Sequence, residues 1–364
     1  MSAEVAALRE RLIDALIARN YLHDARVIDA FRAVPRHLFV PSEPLDRAYS
    51  EESIITRRDE RGVPTSSSSQ PGVVAVMLEQ LELAPGMRVL EIGAGTGYNA
   101  ALIARLVRPG GAVTTIDVQP DVASEARAHL DAAGLGDVDV RDGDGWLGAA
   151  DRAPFDRIEA TVSVRDVSPA WVAQLAADGV VLVPLALRAG GQLLVAFERD
   201  GERLVSRSVR GGGFMPLRRP GLAPATYRDV AGWRVVADLA PDDLAVLEEV
   251  LAETPRVEGA AIAQQAPFLR LGLDRPDAIS LANADGWGAF GLFDSERRSL
   301  AAFREGELIV FGRDDARELL LSWASTARGI ETLHFEALPR GATIASGALA
   351  VLEREHHTIV VRER

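Results

Sequence analysis

Apolar positions recur at helical spacing near the start of the chain. Val5, Leu8, Leu12, Leu16 and Ile17 fall on one face of a helix over 3–19, and Val27, Ile28 and Phe31 follow Asp24, an expected N-cap, until Pro35 stops the pattern. Periodicity lapses over 48–71, where charge, a run of serines, Gly62, Pro64 and Pro71 predict a long loop beside a site. From Pro71 onward short apolar runs alternate with amphipathic segments, predicting strands at 88–92, 112–118, 138–141, 155–162 and 179–185 and helices at 73–83, 99–106, 121–133 and 169–175. That alternation predicts a parallel sheet covered on both faces, with right-handed crossovers. Segments 192–198 and 203–209, joined across Asp200 and Gly201, predict an antiparallel hairpin that closes the sheet.

A Pro/Gly/Arg-rich stretch at 211–229 marks a boundary. Beyond it, helices at 242–253 and 314–327 and strands near 268–273, 288–293, 307–311, 331–336 and 349–362 predict an α+β unit of its own. The expected organisation has three parts: N-terminal helices and a substrate loop (1–70), an α/β core with a mostly parallel sheet (71–213), and a C-terminal α+β domain for substrate recognition or an accessory role (225–364).

Composition narrows the chemistry. With 48% hydrophobic and 26% charged residues the chain of 364 suits a globular protein. No apolar run approaches the roughly 20 residues that span a bilayer, and the opening MSAEVAALRERLIDAL carries charges where a signal peptide needs an apolar core, so a cytoplasmic protein is expected. The absence of cysteine excludes disulfides, thiolate zinc sites and a cysteine nucleophile. All 40 basic residues are arginine, which excludes Schiff-base chemistry, a lysine general base and a Walker A loop, and which fits a GC-rich genome. A net charge of −13 argues against nucleic acid or an anionic membrane as partner. His356 and His357, on opposite faces of a terminal strand, predict no metal site, and Ser295 with Asp294 and His334 lacks a nucleophile elbow. Trp233, Trp287 and Trp323 are expected as core or interface anchors.

The informative segment is RVLEIGAGTGYNAA at 88–101. A strand ends at Ile92, glycines at 93, 95 and 97 permit positive φ and close approach, and a helix follows, so backbone N–H groups are expected to face a ligand. The third glycine arrives one residue early for a dinucleotide fingerprint, and Glu91 would repel a pyrophosphate. The same carboxylate suits the ammonium and sulfonium of S-adenosylmethionine. Asp117 ends the second strand, placed to accept from ribose hydroxyls, and Asp144, beside Gly145 after the third strand, is placed to meet an adenine amino group. Three such strand ends at the switch point of a parallel sheet make an adenosine-shaped site.

These residues, together with VPRHLFVP at 34–41, Ser69-Gln70-Pro71 with Val74-Ala75 and Met77-Leu78-Glu79, GDGWLG at 143–148, APFD at 153–156, Gln174-Leu175 and the run Val181 to Pro184, resemble the protein-L-isoaspartate (D-aspartate) O-methyltransferase family over roughly 5–210. The resemblance implies a class I, Rossmann-like methyltransferase. It implies methyl transfer from S-adenosylmethionine, leaving S-adenosylhomocysteine, to an aspartyl or isoaspartyl carboxylate of a protein or peptide substrate. Such a carboxylate is already ionised at neutral pH, so alignment and exclusion of water are the work required and no base is needed. Ser69 matches the serine beside the transferred methyl and is assigned to catalysis, with Ser68, Gln70, Thr161 and Ser163 around the substrate. Glu91, Gly93, Ala94, Gly95, Gly97, Tyr98, Asn99, Asp117, Val118, Asp144 and Gly145 are assigned to the cofactor. An N-cap on the helix from Pro71 is the other reading of Ser69.

Departures from the family pattern bear on the substrate. Thr161-Val162-Ser163-Val164 replaces a Thr-Ala-Ala run, implying a reshaped pocket. Glu159 replaces an apolar strand residue; an exposed or lid-facing side chain is expected, and the alternative is a buried charge that needs a partner. The loop at 55–62 is longer and more charged, with Arg57, Arg58 and Arg61 available to clamp an acidic peptide, although a solvated loop is the commoner outcome. The extension beyond 213 is similar to a variant branch, associated with ribosomally made peptides, that methylates one aspartate and keeps the resulting succinimide (aspartimide). Isoaspartate repair, dedicated peptide modification and a non-catalytic cofactor-fold scaffold remain the alternatives, with the oligomeric state open.

Overall fold

The computed structural model describes residues 3–60, 62–220, 228–264, 268–283, 288–304 and 306–364. Two compact units partition the chain, one from 1–184 with 194–223, the other from 185–193 with 224–364. The second unit thus takes 185–193 from the stretch expected to belong to the core, and its main boundary falls inside the expected linker.

The first unit opens with α1 (Ala3–Ala18), α2 (Ala25–Ala33) and the single turn α3 (Leu45–Ala48). Asp24 caps α2 as expected, its carboxylate accepting from the Arg26 and Val27 amides. The expected loop over 48–71 is instead a hairpin, β1 (Ile54–Arg58) paired antiparallel with β2 (Pro64–Ser68). Its pairing slips twice, between Ile55 and Arg57 and between Arg57 and Arg58, so no clean alternation marks it in the sequence. Arg57 pairs with Glu125 and Asp121, so it is committed to the helix that carries them and does not form a free clamp. Arg61 and Trp287 lie outside the described residues.

The sheet follows: α4 (Pro71–Leu81), β3 (Arg88–Ile92), α5 (Tyr98–Val107), β4 (Ala112–Asp117), α6 (Pro120–Ala132), β5 (Asp139–Asp142), β6 (Phe155–Ala160), α7 (Pro169–Gln174) and β7 (Leu175–Ala186). Strands β7, β6, β3, β4 and β5 lie parallel in that order. β8 (Gln192–Asp200) and β9 (Arg203–Gly211) follow beyond β7. Every β3 residue except Arg88 is buried, the pattern of a strand covered on both faces. Because β3 has β4 on one side and β6 on the other, the order reverses at β3 and opens a crevice at the carboxyl ends of these strands.

The second unit is more sheet-rich than expected. β10 (Arg228–Val230), β11 (Trp233–Val236), β12 (Arg256–Gly259), β13 (Ala278–Ala282), β14 (Gly288–Asp294), β15 (Ser299–Arg304) and β16 (Glu307–Gly312) form one sheet in the order β10-β11-β13-β14-β15-β16-β12, all antiparallel. Helices α8 (Pro241–Leu251) and α10 (Asp315–Thr326) contribute buried residues to different apolar clusters of this sheet. β17 (Leu333–Pro339), β18 (Ala350–Glu353) and β19 (His357–Glu363) pair antiparallel with β19 in the middle. The strand expected near 268–273 is helical, a 3₁₀ turn at Phe268–Arg270 running into α9 (Leu271–Asp274). Its cause is local, since the buried Arg270 guanidinium grips Asp274 four residues on, with Nε 2.9 Å from Oδ2. Among the described residues no helix is long and apolar enough to cross a membrane.

Candidate active site

From β3 the chain turns through Gly93, Ala94, Gly95, Thr96 and Gly97 into α5. The three glycines have φ of +101°, +51° and +85°, a region that costs other residues about 1–2 kcal/mol each. Space is short as well: a Cβ on Gly93 would lie 2.7 Å from Thr161 Oγ1, and one on Gly97 3.1 Å from the Ala126 carbonyl. Four of the loop's amides are held within the protein rather than offered to a ligand as expected. Gly93 and Ala94 N–H donate to the Ile116 carbonyl (2.8 and 3.2 Å), Gly97 N–H to Ala94 (2.8 Å), and Gly95 N–H to Asp117 Oδ2 (3.1 Å). The loop therefore contributes shape and close approach, which suits an uncharged nucleoside better than a phosphate.

The cleft beside this turn has Ile92, Gly93 and Ile116 on one side and Asp117, Val118 and Gln119 at the end of β4. Gly145 lines it too, and a Cβ there would come within 2.6 Å of Ile92 Cγ2. Asp117 is nearly buried, which pushes its pKa up, while the Gly95 and Gln119 amides hold its two oxygens in place (both 3.1 Å). Each oxygen keeps a lone pair for a hydroxyl. An apolar shelf with one fixed carboxylate at its edge is a lining that an adenosyl group would fit.

The far wall is a strap that the sequence reading missed. Met215, Pro216, Leu217 and Arg218 line the cleft, pinned by Ser163, whose N–H donates to the Met215 carbonyl and whose carbonyl accepts from Leu217 N–H, both 2.8 Å. Ser163, expected at the substrate, is buried and anchors the strap through its backbone. The only signal was the apolar Phe214-Met215-Pro216-Leu217 run inside the boundary stretch. Arg219 ends the strap with Nε 3.2 Å from Asp144 Oδ2 and its guanidinium 5.1 Å over the Trp146 ring, and the Trp146 amide donates to Asp144 Oδ1 at 3.0 Å, so both Asp144 oxygens are already engaged at the rim.

Three expected contacts are engaged within the protein instead, and Glu159 departs from its expected exposed position. Tyr98 is buried edge-on against Phe31 and Phe39 (ring centroids 6.3 and 5.5 Å apart), a core residue whose hydroxyl burial holds in the neutral form. Thr161 donates its hydroxyl to the Gly93 carbonyl at 2.7 Å and braces the loop. Glu91 is wholly buried, accepting from Thr115 Oγ1 and from Asn99 Nδ2 (2.7 Å), so strand alternation turns it away from the ligand side. Glu159, expected to be exposed, is also wholly buried, with Asn99 Nδ2 2.8 Å from its Oε2. Its face of β6 packs inward beside β3, where Glu91 is its register partner.

The serine segment is organised from below by Arg36. This wholly buried guanidinium donates to the carbonyls of Ala48 (2.9 Å), Ser50 (3.0 Å), Glu52 (3.2 Å) and Ser69 (3.1 Å), touches Ser68 Oγ at 3.5 Å, and lies 5.8 Å over the Tyr98 ring. Burial lowers its pKa, yet arginine stays charged. Ser69 is half-buried and its hydroxyl has no protein hydrogen-bond partner among the described residues. The N-cap of α4 is Gln70, so Ser69 does not cap that helix. Gln70 Nε2 donates to Glu51 Oε1 at 3.5 Å. The hairpin abuts the glycine loop, the Ser67 carbonyl lying 3.1 Å from where a Cβ on Gly95 would sit.

Known proteins match this arrangement. The profile of the Protein-L-isoaspartate(D-aspartate) O-methyltransferase (PCMT) family matches residues 7–220. A protein-L-isoaspartate O-methyltransferase of Methanoregula boonei is 41% identical over 210 residues, covering 57% of this chain and 92% of its own, and one of Methylorubrum extorquens is 38% identical over 214, covering 59% and 90%. A solved structure described as a protein-L-isoaspartate O-methyltransferase aligns at TM-score 0.56 and 27% identity, covering 92% of this chain and 97% of that one. A Plasmodium falciparum structure in complex with S-adenosyl-L-homocysteine shares the fold at TM-score 0.50 and 17% identity over 58% of this chain and 98% of its own. The chain belongs to the protein-L-isoaspartate (D-aspartate) O-methyltransferase family, enzymes that transfer a methyl group from S-adenosylmethionine.

Proposed function

We propose that this enzyme methyl-esterifies an isoaspartyl or aspartyl carboxylate of a protein or peptide substrate, with Ser69 hydrogen-bonded to the carboxylate that accepts the methyl. The observation that carries the reading is the serine segment itself. The Ser69 hydroxyl has no protein hydrogen-bond partner among the described residues, its carbonyl is anchored by a buried cation, and the strand leading to it touches the glycine loop. A carboxylate oxygen lined up there forms the new C–O bond as the methyl–sulfur bond breaks and the electron pair returns to sulfur. No proton moves, so the residues orient the acceptor and exclude water. The cofactor supplies the electrophilic methyl on its sulfonium. Asp117, Gly145 and the strap at 215–218 would hold its nucleoside end. In the ester, attack by the following backbone nitrogen expels methanol and closes a succinimide.

An isoaspartyl acceptor is favoured over one dedicated peptide. The structural relative of that name covers 92% of this chain, so an extension of this kind is not peculiar to peptide-modifying enzymes. Labelled S-adenosylmethionine, offered with matched isoaspartyl and aspartyl peptides of several sequences, tests the reading. Label is expected in the isoaspartyl peptides irrespective of sequence; label confined to one aspartyl peptide would reverse the choice. Ser69→Ala is expected to lower turnover about tenfold to a hundredfold with adenosylhomocysteine affinity nearly unchanged, whereas Asp117→Ala weakens that affinity by about tenfold or more. Equal losses of cofactor affinity in both variants would refute these roles.

A further inference from the structure

Glu91 and Glu159 are register partners on adjacent parallel strands, both wholly buried, and one amide donates to both, Asn99 Nδ2 lying 2.7 Å from Glu91 Oε1 and 2.8 Å from Glu159 Oε2. The remaining donors and acceptors are distributed unevenly. Glu91 receives a second hydrogen from Thr115 Oγ1, whereas Glu159 Oε1 and Asn99 Oδ1 are buried with no partner. While both acids are ionised, these two orphans are acceptors only, and two carboxylates sharing one donor repel each other. The surroundings offer no relief. Asp117 on β4 adds negative charge, and Arg157, two residues back on β6, gives its guanidinium to the Leu81 and Asp156 carbonyls. Leu182 is Glu159's register partner on β7.

A single proton on Glu159 resolves all of this. It removes one charge and turns Oε1 from an acceptor into a donor, the kind of partner that Asn99 Oδ1 lacks. Glu91, holding two donors, remains the anion. We propose that Glu159 is a neutral acid in the working enzyme, a positioning residue that fixes Asn99 in the first turn of α5 and through it Glu91 and the glycine loop, so that cofactor is held best while that proton is in place. Burial pushes both carboxyls well above the usual carboxylate range, so the pair retains a proton near neutral pH, and the uneven share of donors assigns that proton to Glu159. The acid's pKa is raised on folding, so the support it lends is complete at low pH and is lost as pH rises through about 7. The inference rests on the glycine-loop cleft being the adenosyl site.

The test measures adenosylhomocysteine affinity of the full chain from about pH 6 to about pH 8.5, for the natural protein and for Glu159→Gln, which keeps the shape of the neutral acid and a permanent N–H. The natural protein is expected to lose about fivefold in affinity across that range, the worth of one neutral hydrogen bond, while the variant stays at the low-pH value. Infrared spectra with isotope-labelled glutamate are compared between the natural protein and Glu159→Gln, and only a band absent from the variant is assigned to Glu159. A protonated-carboxyl C=O band is expected at about pH 6 and should fade by about pH 8.5. Equal pH dependence in both proteins, or no such band at about pH 6, overturns the proposal. Failure to bind adenosylhomocysteine at any pH would refute the cleft assignment, and the infrared band would still decide the charge of Glu159.

Discussion

The two units bury their sheets by opposite means. In the second, the central strands of the seven-stranded sheet bury apolar residues on both faces: α8 sets Leu247, Val250 and Leu251 in a cluster with Ile279, Phe293, Leu300 and Phe311, and α10 sets Ala316, Leu320 and Trp323 in a cluster with Leu292, Ala301, Phe303 and Val310. Strand β15 feeds both, alternating Leu300 and Ala302 to one side with Ala301 and Phe303 to the other. In the first unit, the strand ends and the turn beside them bury Glu91, Thr115, Asp117, Glu159 and Arg36. A dry face needs only the right volume, whereas each buried polar group needs its own partner. Damage to the dry sheet should therefore be read in stability alone, and damage near the cleft in stability and catalysis together.

The largest effect is expected in the dry sheet. Phe303→Ala should cost about 3–5 kcal/mol in urea unfolding, because a large aromatic leaves a cavity between the sheet and α10. The adenosylhomocysteine affinity of the folded protein should not change. A parallel loss of affinity would show that the separation drawn between the units is false. Next comes Arg36→Met, which strands the Ala48, Ser50, Glu52 and Ser69 carbonyls and should cost about 2–3 kcal/mol. Here function should follow: the KM for an acceptor peptide is expected to rise about tenfold, with cofactor affinity held and partial recovery in Arg36→Lys. An unaltered KM would make Arg36 a core residue and nothing more.

What could be read from residues alone follows the same division. The parallel half was legible because its strands are short apolar runs punctuated by glycines, and because Asp117, Gly145 and the loop lie at the ends of those runs. Which way a side chain points was not legible. Glu91, Tyr98 and Asn99 sit inside the same motif, yet burial turns Glu91 inward, packs Tyr98 under Phe31 and Phe39, and spends Asn99 on two acids. Strands 278–282 and 299–304 escaped notice because, with both faces covered, Ala-Ile-Ser-Leu-Ala and Ser-Leu-Ala-Ala-Phe-Arg show no polar alternation. The strap was hidden by its own prolines and glycines, and the buried Glu159 by the assumption that an unpaired acid stays wet.

The smallest effect sits at the rim of the cleft, where the two regimes should part most clearly. Arg219 reaches Asp144 at 3.2 Å and stacks over Trp146, both contacts partly open to solvent, so each is worth about 1 kcal/mol or less. Arg219→Met should leave the melting temperature nearly unchanged. It does remove what fixes the end of the strap whose Met215 to Arg218 stretch walls the cleft. The dissociation rate of adenosylhomocysteine, followed by stopped flow, is therefore expected to rise about twofold to threefold, with association little altered. A variant that melted earlier yet released ligand at the original rate would place Arg219 with the packing residues, and the strap would then owe its position to Ser163 alone.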